Sequence, residues 1–433
     1  MLKAGFSRLD ITPPLGAYLI GYYGERFAKG VLDPLEMSAL ALSDDKKTVL
    51  LIASDLEGIR MGYANRIRYR ISKKTGIPTD CIFISAMHQH TSVGLADTDV
   101  QGRRNKTVDD TAYMDILMRR FEDVCVMALD DMSDAEWGYA EKETSEQIAF
   151  VRRYLLNDGR VRTNPNGEED KIIGPTEPPD NTVRLIKFTR EGKKDIAFIN
   201  FQTHPDVIGG EMISADWPGF ARRLFEKKNE NALAFLMIGF QGDSNHANFM
   251  GERKRGYSHS RHMGDVISDT ATSLMSSVQD AGEFTLSCKT DLVYNETSRD
   301  KEEYYDECLE LCRSFERDGK PTKTASGISY VEAYRIVRLK ESEEIYQKFP
   351  VSVINMGNIS LVCAGCQPFT NYAASIRRAH PDKVILTSSL TNGNESYVPT
   401  KIAFAQGGYE VVACTYTQSV ADEFLTVVNK LLK

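Results

Sequence analysis

The stretch Cys81-Ile-Phe-Ile-Ser-Ala-Met-His-Gln-His-Thr-Ser-Val-Gly94 is an apolar run that ends in two histidines, and it constrains the fold of this chain strongly. Its branched and aromatic residues, bounded by turn residues, predict a buried β-strand. Because alternate residues of a strand point to the same face, His88 and His90 are expected to project together from its end. Such a pair suits zinc, which binds imidazole nitrogen. The alternative is two structural histidines that bond to the backbone.

A βαβ unit is predicted around this strand. Thr48 to Ala53 has the pattern of a strand, residues 60–75 carry apolar side chains at helical spacing, and Gly76-Ile77-Pro78 ends the helix. Such units bind ligands at the carboxyl ends of their strands. The sequence therefore predicts an α/β fold, with a mixed β-sheet core flanked by helices and a site at the strand carboxyl ends.

Other predicted strands also end in polar residues. Ile196 to Phe201 runs into His204, and Leu233 to Phe240 runs into Gln241-Gly-Asp-Ser-Asn-His246. We therefore expect these strand ends to share one site with His88. Three polar residues at such ends, or at the start of the next helix, are predicted to bind substrate: Asp55, Asp216 and Asn392. The remaining histidines, 259, 262 and 380, are predicted to be structural.

Composition excludes some classes of function. The formal net charge is −8 over 433 residues, which argues against a nucleic-acid partner because phosphate binding needs a clustered basic surface. No window approaches 18 continuous apolar residues, so no membrane span is expected. The eight cysteines are scattered and no export signal is recognisable, so we expect reduced thiols and a cytoplasmic protein.

The chain has no repeat or interdomain linker, and a single domain over residues 1–433 is predicted. Asn157 to Asn181 is rich in Gly, Pro, Asn and Asp, and is expected to form a lid or rim, or a disordered excursion. Residues 300–347 form a charged helical insertion with a break at Gly319-Lys-Pro321. We expect this insertion to be a surface excursion or a contact in a homo-oligomer.

Several short motifs occur in a fixed order over nearly the whole chain. They are Gly5-Phe-Ser-Arg-Leu-Asp-Ile-Thr-Pro13, Ser85-Ala-Met-His-Gln-His-Thr-Ser-Val-Gly94, Phe201-Gln-Thr-His204, Ser214-Ala-Asp-Trp-Pro-Gly219, Tyr397-Val-Pro-Thr400 and Gly408-Tyr-Glu410. Together they resemble the neutral/alkaline non-lysosomal ceramidase family, and the resemblance implies the fold of that family's catalytic domain. The chain ends at Lys433, whereas secreted ceramidases carry a further C-terminal β-sandwich.

The resemblance also implies a zinc site. In that family two histidines, a glutamate and a tyrosine bind the ion, which implies His88, His204 and Tyr397 as ligands here. Where the family has its glutamate, this chain has Gln367. A neutral amide oxygen is a poorer zinc ligand and leaves the site one unit more positive, so we expect reduced zinc occupancy.

The catalytic residues that the resemblance implies lie beside these ligands. His90, the second histidine of the His-x-His motif, is implied as general acid/base, and Tyr409 as a donor to the carbonyl or oxyanion. The substrate-contacting arginine corresponds to Arg152, with Arg153 as the alternative. Donors at a developing oxyanion lower the barrier of acyl transfer.

The predicted function is that of a zinc-dependent hydrolase in which a zinc-bound water attacks an amide C–N bond. The predicted rims, Asn157 to Asn181 and Asn392 to Ser396, are polar, so a small hydrophilic molecule is expected as substrate rather than ceramide. Two alternatives stay open. One is a metal-poor acid/base enzyme acting on a carbohydrate or other hydrophilic substrate, and the other is a catalytically silent binding protein.

Overall fold

The computed structural model describes residues 1–96, 111–318, 323–342 and 344–433. The strands are β1 (Lys3–Asp10), β2 (Gly30–Val31), β3 (Glu36–Ser43), β4 (Thr48–Ser54), β5 (Ile82–Ala86), β6 (Ser133–Glu143), β7 (Phe150–Val151), β8 (Arg153–Leu156), β9 (Val161–Thr163), β10 (Ile172–Pro175), β11 (Thr182–Arg190), β12 (Asp195–Phe201), β13 (Met212–Ile213), β14 (Ala232–Ile238), β15 (Ser244–Asn245), β16 (Gln279–Asp280), β17 (Leu286–Glu296), β18 (Tyr346–Met356), β19 (Ile359–Ala364), β20 (Gln367–Pro368), β21 (Val384–Ser388) and β22 (Tyr397–Val398). The helices are α1 (Met61–Thr75), α2 (Thr111–Asp130), α3 (Asp216–Lys228), α4 (Tyr257–Leu274), α5 (Tyr305–Asp318), α6 (Tyr330–Ser342), α7 (Thr370–Ala379), α8 (Lys401–Gln406), α9 (Tyr409–Ala413) and α10 (Val420–Leu432).

A large mixed sheet forms the core. Within the described residues it has nine strands in the order β14-β12-β11-β6-β1-β3-β4-β5, with β16 paired to β6. The β4–β5 and β12–β14 pairs are parallel, and the other pairs along this path are antiparallel. The predicted βαβ unit is therefore confirmed as β4-α1-β5, and the predicted α/β class is correct.

Both faces of this sheet are buried. On β4, Leu50 and Ile52 pack in one apolar cluster with α1 and α2, while Leu51 and Ala53 pack in another with residues of β12 and β14. This alternation follows from the two-residue period of a strand. Because both parities of β4 are apolar, the strand can be covered on both sides.

The two ends of the large sheet meet at one chain segment, which directly follows β21. Ser389 donates its amide to Ile238 O of β14 at 3.1 Å. On the other side, Ala86 of β5 donates to Leu390 O at 3.2 Å, and Asn392 donates to Ile84 O at 2.7 Å. The large sheet therefore curls until its first and last strands flank the same segment, which brings the ends of β5 and β12 together.

A second sheet has the order β17-β18-β19-β21, and α7 and α10 share its apolar cluster. β18 and β19 form an antiparallel hairpin, with Gly357 in the turn at φ 53°. The predicted rim Asn157 to Asn181 is not a continuous loop, because it contains β9 and β10, which pair with β8 in a small antiparallel sheet.

The charged insertion contains α5 and α6, which pack together through a small apolar cluster that includes Cys308, Leu311 and Ile336. The predicted break at Gly319-Lys-Pro321 lies outside the described residues. In the parts of the chain that the structure describes, no helix is both long and apolar enough to cross a bilayer.

Candidate active site

Three histidine rings converge where β5 and β12 end. The ring centres of His88 and His204 are 5.2 Å apart, those of His88 and His90 4.9 Å, and those of His90 and His204 6.3 Å. His88 and His204 are separated by 116 positions in the sequence. The prediction that both strand ends contribute to one site is therefore confirmed.

His88 is held in a backbone conformation that side-chain-bearing residues seldom adopt, with φ at 65°. Its amide donates to Leu56 O at 2.9 Å, and its Nδ1 lies 2.7 Å from Glu57 O. Because a carbonyl oxygen can only accept, Nδ1 carries the proton. The lone pair of His88 is then on Nε2, away from this anchor.

His204 is anchored in the same way by the loop that follows β14. Its Nδ1 lies 2.8 Å from Gln241 O and 2.9 Å from Ser244 O, so this nitrogen again carries the proton. Its Nε2 is buried without a hydrogen-bond partner in the described part of the protein. Burial lowers the pKa of His204 well below its ordinary value, and the positive charge of Arg152 lowers it further.

Gln367 and Tyr397 are brought side by side by the short parallel pair of β20 and β22, in which they are direct partners. The Gln367 side chain is nearly buried, and its Oε1 has no hydrogen-bond partner among the described residues. The ring of Tyr397 stacks beside that of His204 at 6.5 Å between centres. The predicted ligand positions therefore lie in one neighbourhood.

These groups fit a divalent metal ion. His204 Nε2 and Gln367 Oε1 are buried acceptors without partners, and both histidines have the backbone-anchored Nδ1 that is typical of metal ligands. Two imidazoles on one tetrahedral zinc have ring centres about 5 Å apart, given zinc–nitrogen distances of about 2.0–2.1 Å. Across the described residues, no group of three or more His, Cys, Asp or Glu side chains, the three histidines included, is arranged so that it could hold a metal ion by itself. An ion here would therefore depend on the oxygens of Gln367 and Tyr397 as well.

His90 is enclosed on the side away from His88. Its Nδ1 faces Asp206 Oδ1 at 3.5 Å but has no hydrogen-bond partner among the described residues, and this carboxylate oxygen accepts a hydrogen bond from the Tyr22 hydroxyl. Its Nε2 lies 3.5 Å from Nε2 of His88. Gly21 has φ 106°, and a Cβ at this position would lie 2.7 Å from Cγ of His90, so only glycine fits against the imidazole. Burial lowers the pKa of His90 well below its ordinary value, as does the neighbouring His88.

Arg152 lies behind the tyrosines rather than in the cavity. Its Nε donates to Glu410 Oε1 at 2.7 Å, and its Nη2 donates to Gly242 O at 2.8 Å and to Tyr397 Oη at 3.2 Å. Arg153, the alternative, is also paired with the fully buried Glu410. The structure therefore gives Arg152 a positioning contact to Tyr397, in place of the substrate contact implied by the sequence.

Tyr409 faces the site from the opposite side of Tyr397. The two rings meet edge to face at 5.9 Å between centres, and the Tyr409 hydroxyl lies 3.4 Å from the Tyr23 hydroxyl. The guanidinium of Arg152 lies over both rings, at 5.6 Å from Tyr397 and 5.7 Å from Tyr409. A positive charge therefore lies close to both phenols.

A cavity of about 140 Å³ opens from these residues. The site residues in its wall are His88, His90, Gln367, Tyr397 and Tyr409. The predicted rim at Asn392 to Ser396 is confirmed in part, since Asn394, Glu395 and Ser396 line the cavity. The rest of the wall includes Tyr23 and Arg60, and one face of α6. The charged insertion thus lines the cavity through α6, a role that the sequence did not predict, while its predicted contact in a homo-oligomer stays a prediction.

The predicted substrate-binding residues have structural partners instead. Asp55 is fully buried and accepts hydrogen bonds from Arg222, Gln89 and the amide of Glu36. None of Asp55, Asp216 and Asn392 lines the cavity. The prediction is corrected for Asp55 because its oxygens are committed to the protein.

The same correction applies to the other two residues. Asp216, at the start of α3, accepts hydrogen bonds from the amides of Val207 and Ile208 and from the Ser260 hydroxyl. Asn392 is fully buried and bonds through its side chain to the backbone of β5. Polar residues at strand ends therefore serve partly to join the elements around the site.

Sequence reasoning gave no role to several residues that support the site. They are Gly21, Tyr22, Glu57, Asp206, Glu410 and the cavity face of α6. Asp206 and Glu410 each lie within two residues of a predicted site residue, His204 or Tyr409, which is the available signal for them. Gly21 and Tyr22 are distant from every motif that was assigned a role, so nothing in the sequence pointed to them.

Comparison with solved structures identifies the architecture. The neutral ceramidase from Pseudomonas aeruginosa superimposes with a TM-score of 0.73 over 100% of this chain and 74% of that chain, at 15% sequence identity. This chain has the neutral ceramidase fold. A second structure, described as ceramidase complexed with C2, gives the same TM-score and identity and is covered to 75%. No family model and no curated protein matches the sequence.

Proposed function

We propose that this chain is a hydrolase that cleaves an amide bond in a compact, polar substrate. The observation that carries the proposal is the convergence of His88, His90 and His204 with Gln367 and Tyr397 at one cavity. The fold in which they converge is that of proteins described as ceramidases, enzymes that hydrolyse an amide. The geometry and the fold together favour the same class of reaction.

The proposed ligands of a divalent metal are His88, His204, Gln367 and Tyr397. A zinc ion bound there would supply a Lewis acid for the carbonyl and would acidify water. The anchors at Glu57 O and Gln241 O hold the two imidazoles with Nε2 free for this purpose. The neutral amide of Gln367 makes the set weaker than one with a carboxylate.

His90 is proposed as the general acid/base. Its Nδ1 faces Asp206 and its Nε2 faces His88, so the imidazole is held between an acceptor and the reaction space. A positioned histidine contributes about 10²- to 10⁴-fold to proton transfer. Tyr409 is proposed to donate to the carbonyl oxygen, where developing negative charge would form.

The cavity favours a small hydrophilic substrate over ceramide. Burial of long acyl chains gains about 0.8 kcal/mol per methylene, which requires a long apolar surface. The cavity has a volume of about 140 Å³, and Arg60, Arg335 and Arg338 are in its wall. We therefore propose that hydrolysis of long-chain ceramide is absent or very slow.

The proposal is tested by incubating the purified protein with N-acyl compounds of different size and charge and measuring the released carboxylic acid. We expect release from compact substrates, loss of at least about 100-fold in His90→Gln, and loss of activity with a chelator. Lys401→Gln, an exposed change on α8, is the control. Turnover that survives His90→Gln, or turnover of ceramide alone, would contradict the proposal.

A second candidate is a metal-poor acid/base enzyme acting on a carbohydrate or another hydrophilic molecule. The neutral Gln367 favours it, and so does the finding that no group of three or more His, Cys, Asp or Glu side chains in the described chain is arranged to hold a metal ion. Metal analysis of the purified protein separates the two candidates. If the protein contains negligible metal and hydrolyses a glycoside, the second candidate is favoured. If it turns over no substrate at all, a binding protein is favoured.

A further inference from the structure

Helix α6 lines the cavity with four residues that lie on one face of the helix. Val331, Tyr334, Arg335 and Arg338 follow the spacing i, i+3, i+4 and i+7, which places them on one side of a helix. All four line the same cavity as His88 and His90. The charged insertion therefore supplies a wall of the candidate active site, and two of its arginines face the space in which a substrate would lie.

The charges of this wall do not balance. The cavity is lined by three arginines, Arg60, Arg335 and Arg338, and by two glutamates, Glu57 and Glu395. Glu395 is committed to Arg60, at 3.3 Å between Nη1 and Oε2. Glu57 lies against His88, at 3.6 Å between Oε1 and Nδ1. Among the described residues, neither carboxylate forms an ion pair with Arg335 or Arg338.

Arg338 differs from the other charged residues of the cavity wall in its lack of polar contacts within the described residues. Across the residues that the structure describes, its half-buried guanidinium has no ion pair and no hydrogen bond. Burial lowers the pKa of Arg338, and the positive charge of Arg60 lowers it further, whereas the carboxylate of Glu344, which is not in ion-pair contact, opposes these effects. Among the residues with described positions, Arg335 donates hydrogen bonds to Ser298, a neutral group, and its Nε is buried without a hydrogen-bond partner. Desolvated guanidinium groups without an anion are unfavourable, so a function has to account for them.

We propose that Arg338, supported by Arg335, binds an anionic group of the substrate, so that the substrate class is a compact N-acyl compound bearing a carboxylate or a phosphoryl group. That the substrate is an N-acyl compound rests on the proposed amide hydrolysis. The anion subsite rests on the two arginines alone. A guanidinium forms paired hydrogen bonds with planar carboxylates and with phosphates. The anion would lie at α6 and the scissile amide at His88 and His90.

The test uses three related compounds: N-acetyl-L-alanine, its uncharged amide N-acetyl-L-alaninamide, and N-acetyl-aminomethylphosphonate. Dissociation constants are measured by titration calorimetry, and acetate release is measured separately. The proteins are the wild type, Arg338→Gln, Arg338→Lys and the control Lys340→Gln. Lys340 is on the same helix but is exposed and paired with Glu302, so its replacement makes the same charge change outside the cavity.

We expect the wild type to bind at least one of the two anions about tenfold or more tightly than the neutral amide. Arg338→Gln should weaken that binding by about 10- to 100-fold, since hydrogen bonds to charged groups are of this strength. Arg338→Lys, which keeps the charge and an aliphatic stem, should retain part of the affinity. It replaces the glutamine variant in the test if that variant does not fold. Lys340→Gln should bind like the wild type. The tighter of the two anions identifies carboxylate or phosphoryl as the natural group.

Equal binding of the amide and the anions, no binding of either anion, or an unchanged affinity in Arg338→Gln would each overturn the anion subsite. These results are separable from the fate of the proposed function. Anion binding that depends on Arg338 without acetate release would keep the subsite and reject amide hydrolysis. Acetate release from N-acetyl-L-alanine at equal rates in the wild type and in Arg338→Gln would keep hydrolysis and reject the subsite.

Discussion

Arg152 donates a hydrogen bond from Nη2 to the phenolic oxygen of Tyr397 at 3.2 Å, while its Nε is held by Glu410 at 2.7 Å. A guanidinium fixed in this way holds the phenol from behind and favours negative charge on its oxygen. Desolvation alone would lower the pKa of Arg152, but Tyr397 and Glu410 raise it above its ordinary value. The buried carboxylate of Glu410 thereby fixes the guanidinium that contacts the Tyr397 hydroxyl.

Glu410→Gln tests this arrangement. Glu410 is fully buried, pairs with Arg152 and Arg153, and accepts from the Thr163 hydroxyl at 2.7 Å. Removal of one partner from a buried ion pair costs about 3–5 kcal/mol, because the remaining charges stay buried without compensation. We expect a loss of that size in the free energy of unfolding, measured by urea denaturation.

The matched control is Glu141→Gln. Glu141 pairs with Arg184 at 3.2 Å but is 52% exposed, so its loss should cost less than about 1 kcal/mol. Equal effects of the two substitutions would mean that Glu410 does not hold the arginines.

Gln367→Glu is expected to increase metal binding. The substitution restores an anionic oxygen beside His204 and Tyr397 with no change in side-chain length, and a carboxylate is the better ligand for zinc. Even outer-shell changes alter metal affinity about tenfold or more, so a larger gain is expected here. Zinc content after dialysis, measured by plasma mass spectrometry, is the readout.

Gln418→Glu, which adds the same charge at an exposed position, is the control for the metal experiment. If both variants remain free of zinc, the pocket lacks ligand geometry and the metal-poor alternative is preferred.

Much of the large sheet is predictable from local pattern. The buried apolar runs of β4 and β5, with a helix stopped at Gly76 between them, allow no other assignment than a βαβ unit. β1 is not predictable from local pattern, because its run Lys-Ala-Gly-Phe-Ser-Arg-Leu-Asp does not alternate apolar with polar side chains and lacks β-branched residues.

The site is predictable from the sequence only at residues whose own side chains suit metal binding or catalysis. His88 and His204 end apolar strands, so their convergence follows from the sheet. The side on which α6 places Arg338 depends on how the insertion packs against the rest of the chain, and the helical period alone cannot distinguish a cavity from solvent. The substrate-binding role predicted for Asp55 is wrong for a related reason. Its ion pair with Arg222 is a tertiary contact, which the local sequence does not show.

Asp206→Asn is expected to lower kcat by about 10- to 100-fold with little change in KM or melting temperature, because it removes the negative charge that faces Nδ1 of His90. The distance from His90 Nδ1 to Asp206 Oδ1 is 3.5 Å. Kinetics on the N-acyl compound with the fastest wild-type turnover is the measurement.

The control is Asp195→Asn, at the start of β12 and so at the opposite end of the strand from the site. A parallel loss of stability in Asp206→Asn, or a kcat like that of the wild type, would show that Asp206 has no positioning role.

Asp243 gives a pH-dependent contribution to stability whose sign is fixed. Burial raises its pKa from 3.8 to about 6, its Oδ1 accepts from the amide of Thr370, and its Oδ2 has no partner among the described residues. The folded protein thus holds this proton more tightly than the unfolded chain does. The stabilisation is complete below pH about 4 and is lost as the pH rises through about 6. At about 1.4 kcal/mol per pKa unit, the loss amounts to about 3 kcal/mol.

Asp243→Asn should remove this contribution, since asparagine resembles the protonated acid and does not titrate. The free energy of unfolding is measured by urea denaturation between pH 4 and 8 for both proteins. We expect the difference, variant minus wild type, to rise by about 2.5 kcal/mol between pH 4 and 7, because all other titrating groups are common to the two proteins. A difference that stays constant over this range, or falls with pH, would mean that Asp243 is ionised in the folded protein throughout.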